Sequence, residues 1–160
     1  MNTQHSAATP HDGCGPLSAD DFEAVVALDT GMTGRSRRRF LARRLDRTLA
    51  TPERYVHMAL RQDGRLAGFA LARVTEGEFG APDGTVVLDA FGIAPEARGK
   101  GGGHALLKAT LAVLQHKGVR ALLTEVDWAN QDLLRFFAGN GFELAPRQVL
   151  GRSVSANIDL

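Results

Sequence analysis

The stretch of sequence that decides the fold begins at residue 93 and reads IAPEARGKGGGHALL to residue 107. A β-rich run ends where it starts, and the apolar spacing after it predicts a helix from near Gly101. Successive glycines bring several backbone N–H groups against a ligand without interference from Cβ atoms. The helix N-terminus adds partial positive charge, and Arg98 and Lys100 add full charges. This segment therefore predicts a site for a phosphate or pyrophosphate group.

Two other phosphate-binding motifs do not fit the same segment. A P-loop needs glycine where Ala94 stands and serine or threonine where Gly101 stands. A dinucleotide-binding fingerprint that starts at Gly99 needs glycine or alanine where His104 stands. A flexible loop without a ligand is the remaining alternative. The glycine-rich segment lies directly between a strand and a well-formed helix, which disfavours a flexible loop.

The composition is typical of a soluble globular domain. The chain has 160 residues, 44% apolar and 23% charged, with a formal net charge of +1. That length can bury a core, and the balanced charge gives no global attraction to nucleic acid or an acidic membrane. Cys14 is the only cysteine, which excludes an intramolecular disulfide. The histidines are scattered without metal-ligand spacing, so no metal is expected.

The N-terminal residues predict no leader and no membrane span. Residues 1–13 are polar and small, and no apolar run reaches the ~20 residues of a membrane-spanning helix. A cytoplasmic protein is therefore expected. Residues 1–16 are expected to form a loose arm, ending in a short edge strand, and residues 17–160 a single domain.

Two helices are expected next. Ser18–Asp21 has the form of a capping box, followed by apolar residues that predict a short helix ending near Gly31. A second stripe, stopped by Thr51-Pro52, consists of Phe40, Leu41, Leu45 and Leu49.

The second helix is expected to carry a set of arginines, namely Arg35, Arg37, Arg38, Arg39, Arg43, Arg44 and Arg47. Helix surfaces are commonly charged, and arginine stems cover apolar surface, so a solvated face is the favoured interpretation. The alternative is a wall of an acceptor site that prefers an anionic group. Nucleic-acid binding is a weaker alternative, which steeply salt-dependent DNA binding would support.

The remaining pattern predicts strands and two further helices. Asp63-Gly64 joins the β-rich runs 55–61 and 66–74 as a hairpin, and a third strand, 85–93, follows a turn at 80–84. The helix from Gly101 is expected to end at Gly118, with an inward stripe of Ala105, Leu106, Ala109, Leu111, Ala112 and Leu114.

The C-terminal third predicts one more strand, one helix and a final strand pair. Residues 120–126 are mostly apolar, which favours a central strand. Asn130 caps a short helix that runs through Phe137 and closes at Asn140-Gly141. Residues 142–144 and 148–154 are expected to form an antiparallel pair. The order of elements indicates a mixed α+β sheet.

Two motifs together resemble a known family. The spacing Arg98-x-x-Gly101-x-Gly103, introduced by IAPE at 93–96, resembles the acyl-CoA signature of the GNAT N-acetyltransferase superfamily. Residues 130–142, NQDLLRFFAGNGF, resemble that family's second motif, and the order of elements from residue 18 also matches. The resemblance implies a mostly antiparallel mixed sheet flanked by helices, with a splay between the strands around 85–93 and 120–127. Residues 17–160 would then be one GNAT-like acyltransferase domain.

The resemblance also implies how acetyl-CoA would be held as a co-substrate. The loop amides would bind the pyrophosphate, and the preceding strand would pair with pantetheine as a β-strand does. A glycine at 92 fits a bulge or a close ligand approach, with a free N–H that polarises the thioester carbonyl. Asn130 would face the pantetheine arm, with capping alone as the alternative. The implied CoA-binding residues are Phe91, Gly92, Ile93, Arg98, Gly99, Lys100, Gly101, Gly102, Gly103, His104, Asn130 and Phe137.

Phe137 departs from the family pattern, in which many members have a tyrosine that protonates the departing thiolate. Phenylalanine keeps the packing surface but has no proton to donate. In this chain, either water or another group would protonate the thiolate, or CoA would leave as the unprotonated thiolate.

A general base is also required, because an alkyl amine is mostly protonated at neutral pH. The placement of Glu125, five residues before Asn130, resembles that of the base-bearing strand in the family's protein N-terminus acetyltransferases. Alternation puts Asp127 on the same face of the strand as Glu125. Asp89, on the adjacent strand, is the other candidate. A structural ion pair or a solvated end is the alternative for all three carboxylates.

The resemblance therefore implies an N-acetyltransferase that moves an acetyl group from acetyl-CoA to a primary amine by direct attack in a ternary complex. No covalent enzyme intermediate, metal, nucleic acid or membrane is expected, and a homodimer is left open. The alternative, which Phe137 permits, is a catalytically weak or inactive acyl-CoA-binding sensor or interaction module. The acceptor is not encoded in any recognisable motif.

Overall fold

The computed structural model describes residues 12–77 and 84–153. The chain divides into two compact units, Met1–Glu125 and Val126–Leu160. The strands of the first unit are β1 (Gly13–Pro16), β2 (Tyr55–Gln62), β3 (Arg65–Val74), β4 (Thr85–Ile93) and β5 (Ala121–Thr124). Its helices are α1 (Phe22–Thr33), α2 (Arg38–Ala50) and α3 (Gly102–His116), and α4 (Gln131–Gly139) belongs to the second unit.

The five strands form one mixed sheet in the order β1-β2-β3-β4-β5. Neighbours from β1 to β4 are antiparallel, and β4 and β5 are parallel. The expected α+β fold with a mostly antiparallel sheet is confirmed, and β1 is the edge strand expected at the end of the N-terminal arm.

The central position expected for the strand at 120–126 is wrong. β5 spans four residues and lies at the edge of the sheet that the described residues form. Its four side chains are only half-buried. A short apolar run is compatible with either place, because apolar content reports burial of the faces and not the number of neighbouring strands.

The strand pair expected at 142–144 and 148–154 is also absent from the described part of this segment, residues 142–153. The apolar residues that suggested it, Leu144, Val149 and Leu150, are all exposed. Alternating apolar residues predict a strand only where a partner strand and a covering surface exist. Residues 80–83 of the expected turn and residue 154 lie outside the described residues.

α1 and α2 differ slightly from the expected helices. In the capping box, the Asp21 carboxylate accepts hydrogen bonds from Ser18 N–H and Oγ, at 2.8 and 2.9 Å. α1 continues past Gly31 to Thr33, and Gly34, which caps its end, has a φ of +70° that favours glycine. α2 begins at Arg38, so Arg35 and Arg37 lie in the connection before it and not on the helix.

The hairpin and the helix after the glycine segment form as expected. Asp63 and Gly64 both have positive φ, 50° and 69°, as a two-residue loop between β2 and β3 requires. α3 ends before Gly118, which has a φ of +76°. The inward stripe of α3 is partly wrong: Ala105 and Ala112 are exposed. The buried residues include Leu107 and Thr110, whose hydroxyl donates to the Leu106 carbonyl at 2.8 Å.

The sheet has helices on both faces. On one face the side chains of α1 and α2 pack on the strands in a cluster of Val25, Val26, Leu41, Phe69, Leu71 and Ala90. Gly68, which precedes Phe69 and so points to the opposite face, lies against Leu106 of α3. No helix among the described residues is long and apolar enough to cross a membrane.

His57 predicts how stability depends on pH. Its ring is buried on β2 beside Thr48 Oγ1, 3.2 Å from Nδ1. Burial, with the nearby charge of Arg44, lowers the pKa of His57 to about 4 from 6.5. Between these values the unfolded chain binds a proton that the folded chain does not, so stability falls on acidification through that window. We expect a loss of about 2 kcal/mol at pH 5 relative to neutral pH from this group.

Urea unfolding at pH 7.5 and pH 5 tests this expectation. The His57→Gln variant should lose most of the acid sensitivity, while His116→Gln, at an exposed position, should keep it. Equal pH dependence in wild type and His57→Gln would contradict the account.

Candidate active site

The sheet opens between β4 and β5. Their paired register runs from Thr85 opposite Ala121 to Leu88 opposite Thr124, where β5 ends. β4 continues to Ile93 and stays paired with β3 on its other side. One backbone edge of β4 from residue 89 onward therefore faces the place that β5 has left, as the expected splay requires.

The backbone of β4 alternates along this opening. Ala94 N–H donates to the Ala67 carbonyl of β3 at 2.8 Å, and in an antiparallel ladder every second residue bonds to the same neighbour. Gly92, in register with Phe69, therefore directs its amide to β3, and Phe91 and Ile93 direct theirs to the opening. The bulge and the free N–H expected at Gly92 are wrong.

Gly92 has a packing reason to be glycine. A Cβ at this position would lie 2.8 Å from the Met32 sulfur and 2.8 Å from a ring carbon of Phe69. Packing against α1 and β3 is therefore enough to require glycine here, and the close approach of a ligand, the other expectation for Gly92, stays a prediction.

The bulge lies at Asp89 instead. Ala90 is in register with Leu71 and Leu88 with Ala72, so Asp89 is the extra residue of β4. The carboxylate meets two arginines: Oδ2 lies 2.6 Å from Arg44 Nη2, and Oδ1 lies 3.4 Å from Arg73 Nε. Burial raises the pKa of the Asp89 carboxyl, and the charges of both arginines oppose that rise.

The ion pair between Arg44 and Asp89 is close but poorly aligned. Despite the 2.6 Å approach, Asp89 Oδ2 has no partner in hydrogen-bond geometry, and neither has the buried Arg44 Nε. The Arg44 guanidinium also lies 5.2 Å from the Phe40 ring centre and 5.6 Å from that of Tyr55. The pair is therefore strongly desolvated but incompletely satisfied.

Glu125 follows β5 directly, and it is exposed. Leu88 is in register with Thr124, so the residues that follow them, Asp89 and Glu125, lie at the level where the pairing of β4 with β5 stops. Since β5 ends at Thr124, the alternation that was expected to pair Glu125 with Asp127 on one strand face does not apply. Asp127 Oδ1 instead accepts a hydrogen bond from Ala129 N–H at 2.8 Å.

The glycine segment has the backbone conformation of a tight turn into a helix. After a short turn at Pro95–Ala97, Gly99 and Gly101 have φ of +70° and +79°. A Cβ at either would meet no atom within 4 Å, so backbone conformation and not packing requires glycine there. Arg98 Nε donates to the Ile93 carbonyl at 3.1 Å, which ties the segment to the end of β4.

The N-terminus of α3 points out of this turn. Its first helical hydrogen bond runs from Ala105 N–H to the Gly101 carbonyl at 2.9 Å, so the amides of Gly102 and Gly103 precede the helical ladder. A Cβ on Gly102 would lie 3.0 Å from Leu60 of β2, so glycine at this position lets the start of the helix lie close to the sheet. Amides, helix dipole, Arg98 and Lys100 together can bind an anion.

The second unit contains the two remaining predicted residues. Asn130 is the N-cap of α4, and its side-chain oxygen accepts a hydrogen bond from Leu133 N–H at 3.1 Å, so the predicted cap is confirmed. Phe137 is buried and packs its ring 5.3 Å from that of Phe136 and 4.8 Å from that of Phe142.

Sequence reasoning missed the arginines that surround Asp89. Arg44 was grouped with a solvated face, yet it is buried against β4, and Arg73 of β3 was not singled out. Arg37 was placed in the same group, but it makes an ion pair with the fully buried Asp29. The sequence signal that could have indicated such an ion pair is Asp29, an acidic residue next to the apolar stripe of α1, because a buried carboxylate needs a basic partner.

Comparison with known proteins identifies the class. The model of the acetyltransferase (GNAT) family matches residues 22–142. The chain therefore belongs to the GNAT family of acetyltransferases, which are acyltransferases.

Curated relatives agree with that family. A mycothiol acetyltransferase of Propionibacterium freudenreichii is 34% identical over 86 residues, covering 54% of this chain and 27% of that protein. Another, of Thermobifida fusca, is 31% identical over 101 residues, covering 62% of this chain and 31% of that protein. The chain matches less than a third of the length of either relative.

Solved structures share the fold. The aminoglycoside acetyltransferase AAC(6')-Iy with a bisubstrate analogue of CoA has a TM-score of 0.74 at 19% identity, covering 91% of this chain and 100% of that one. The ribosomal-protein-S18-alanine N-acetyltransferase of Escherichia coli has a TM-score of 0.70 at 23% identity, covering 84% and 79%. The PaiA N-acetyltransferase of Thermoplasma acidophilum, in complex with coenzyme A, has a TM-score of 0.69 at 16% identity, covering 85% and 92%.

Proposed function

We propose that this chain transfers an acetyl group from acetyl-CoA to a primary amine by direct attack in a ternary complex. The observation that carries the proposal is the opening of the sheet after Leu88 and Thr124, with the glycine turn and the α3 N-terminus at its end. The edge of β4 that faces this opening suits the amide groups of pantetheine, and the turn suits a pyrophosphate. Solved neighbours of the same fold contain CoA or a CoA analogue.

In this reaction the amine nitrogen attacks the thioester carbonyl. A C–N bond forms, the C–S bond breaks, and CoA leaves as the thiolate, while the amine loses a proton to a base. We assign the CoA pyrophosphate to Arg98–His104 and pantetheine to the β4 edge at Phe91–Ile93. Asn130 and Phe137 are proposed to contact the pantetheine arm.

We assign the base to Glu125. It stands at the level where the strands part and is exposed, so it can reach an amine or a bridging water. Asp89 lies at the same level, but Arg44 and Arg73 hold its carboxylate, so its proposed role is to position those arginines.

The second candidate function is an acyl-CoA-binding module with little turnover. The observation in its favour is Phe137, which has no hydroxyl to protonate the thiolate and lies buried between two other phenylalanine rings. Thiol release from acetyl-CoA with a panel of amines separates the two candidates. Amine-dependent release supports the enzyme, whereas tight CoA binding without release on any amine supports the module.

A further inference from the structure

A small cavity lies along one face of α2. Its volume is about 190 Å³, and its lining residues are Phe40, Arg43, Arg44 and Arg47, which lie on two successive turns of one helix face. Three arginines thus line one cavity together with a single aromatic residue.

The cavity has an excess of positive charge. Arg44 is neutralised in part by Asp89, which it shares with Arg73. Among the described residues, neither Arg43 nor Arg47 has a carboxylate within ion-pair distance. The surrounding field therefore favours an anionic ligand over a cationic one.

Arg44 supplies a second, independent observation. Its side chain is 9% exposed, and its Nε has no hydrogen-bond partner although it is buried. An incompletely paired buried charge is unfavourable, and an anion in the adjoining cavity would compensate the positive charge of Arg44 through space, since Nε itself is enclosed by protein and out of reach of a ligand. The planar guanidinium is well suited to carboxylate and phosphate oxygens.

The place of the cavity in the fold connects it with the acceptor and not with CoA. Through Asp89, Arg44 reaches β4 at the level where β5 ends. The glycine turn begins beyond Ile93, four residues further along β4, or about 13 Å at the rise of a strand. An anion bound at α2 is therefore near the proposed site of amine attack but apart from the pyrophosphate turn.

From these observations we propose that the acceptor is an amine that carries a carboxylate or phosphate group, and that Arg43, Arg44 and Arg47 bind this group. The inference rests on the proposed acetyl transfer and names the chemical class of its acceptor. An acceptor with additional positive charge is disfavoured by the same arginines.

Acetyl-transfer rates with matched acceptors test the proposal. The pairs are phosphoethanolamine with ethanolamine and β-alanine with β-alaninamide, which separate a phosphate from a carboxylate. We expect kcat/KM to favour the anionic member of at least one pair by about tenfold or more, the effect of one charged hydrogen bond. That ratio should fall about tenfold in Arg43→Gln and Arg47→Gln. It should persist in Arg39→Gln, an exposed arginine of the same helix outside the cavity.

The outcomes separate this inference from the function on which it rests. Transfer to neutral and anionic amines at equal rates would overturn the anionic acceptor and leave acetyl transfer standing. If no amine is acetylated, the acetyl-transfer proposal fails, and inorganic phosphate tests the anion site on CoA-saturated protein. A phosphate-dependent rise in Tm that is lost in Arg43→Gln and Arg47→Gln supports the site, and the same rise in all variants, or none, overturns it. Steeply salt-dependent DNA binding by these arginines, without any anionic preference, would also overturn it.

Discussion

Replacing Gly101 by valine should abolish CoA binding and leave the fold largely intact. Gly101 has a φ of +79°, a region that a β-branched residue enters at a cost of about 1–3 kcal/mol. The turn would relax to avoid that cost, and the amides at the start of α3 would lose their common direction. Loss of two charge-assisted hydrogen bonds to pyrophosphate weakens binding by about a hundredfold or more. Calorimetric titration with CoA measures the change.

Gly118→Val is the matched control. Gly118 has a φ of +76° and open space around its Cα, as Gly101 has, but it lies at the other end of α3. Both variants should lose similar stability, and only Gly101→Val should lose CoA. Unchanged CoA affinity in Gly101→Val would remove the basis for placing pyrophosphate at this turn.

Glu125→Gln should reduce turnover by about 10²–10⁴-fold near neutral pH, the usual contribution of a general base. The loss should shrink at high pH, where more of the amine is already deprotonated and the base is needed less. A pH profile of kcat/KM from pH 6.5 to pH 9.5 measures this dependence for wild type and variant.

Glu53→Gln serves as the control for that profile, because Glu53 is exposed on the turn before β2. It should reproduce the wild-type profile. If Glu125→Gln lowers kcat/KM by the same factor at every pH, Glu125 is not the base, and Asp89→Asn becomes the next variant to measure.

The local signals in the sequence predicted most of the fold. Asp63-Gly64 selects a two-residue hairpin because both positions need positive φ, and Ser18 with Asp21 selects a helix start because each satisfies the other's polar groups. Gly118 ends α3 for a similar backbone reason. Such features depend on a few residues that are neighbours in sequence, so they can be predicted from the sequence alone.

Features that depend on distant partners were predicted less well. The position of β5 at the sheet edge and the lack of strands at 142–153 depend on which surfaces meet, and apolar alternation does not record that. For Gly92 the sequence indicated a bulge or a close ligand approach, but the bulge lies three residues earlier at Asp89, and Gly92 makes room for Met32 and Phe69.

The candidate site divides in the same way. The glycine turn and the cap at Asn130 were visible as motifs, whereas the contacts of Asp89 with Arg44 and Arg73 join three elements far apart in sequence. A row of arginines on a helix looks solvated in sequence, and only packing distinguishes the buried Arg44 from the exposed Arg43.

The central claim is acetyl transfer to an amine, and the mass of the acceptor tests it most directly. The protein is incubated with acetyl-CoA and a mixture of amines that includes anionic, neutral and cationic members, and the products are read by mass spectrometry. The account predicts that an amine gains one acetyl group in a protein-dependent reaction that Gly101→Val abolishes. If the protein is saturated with CoA but every amine keeps its original mass, the account is contradicted.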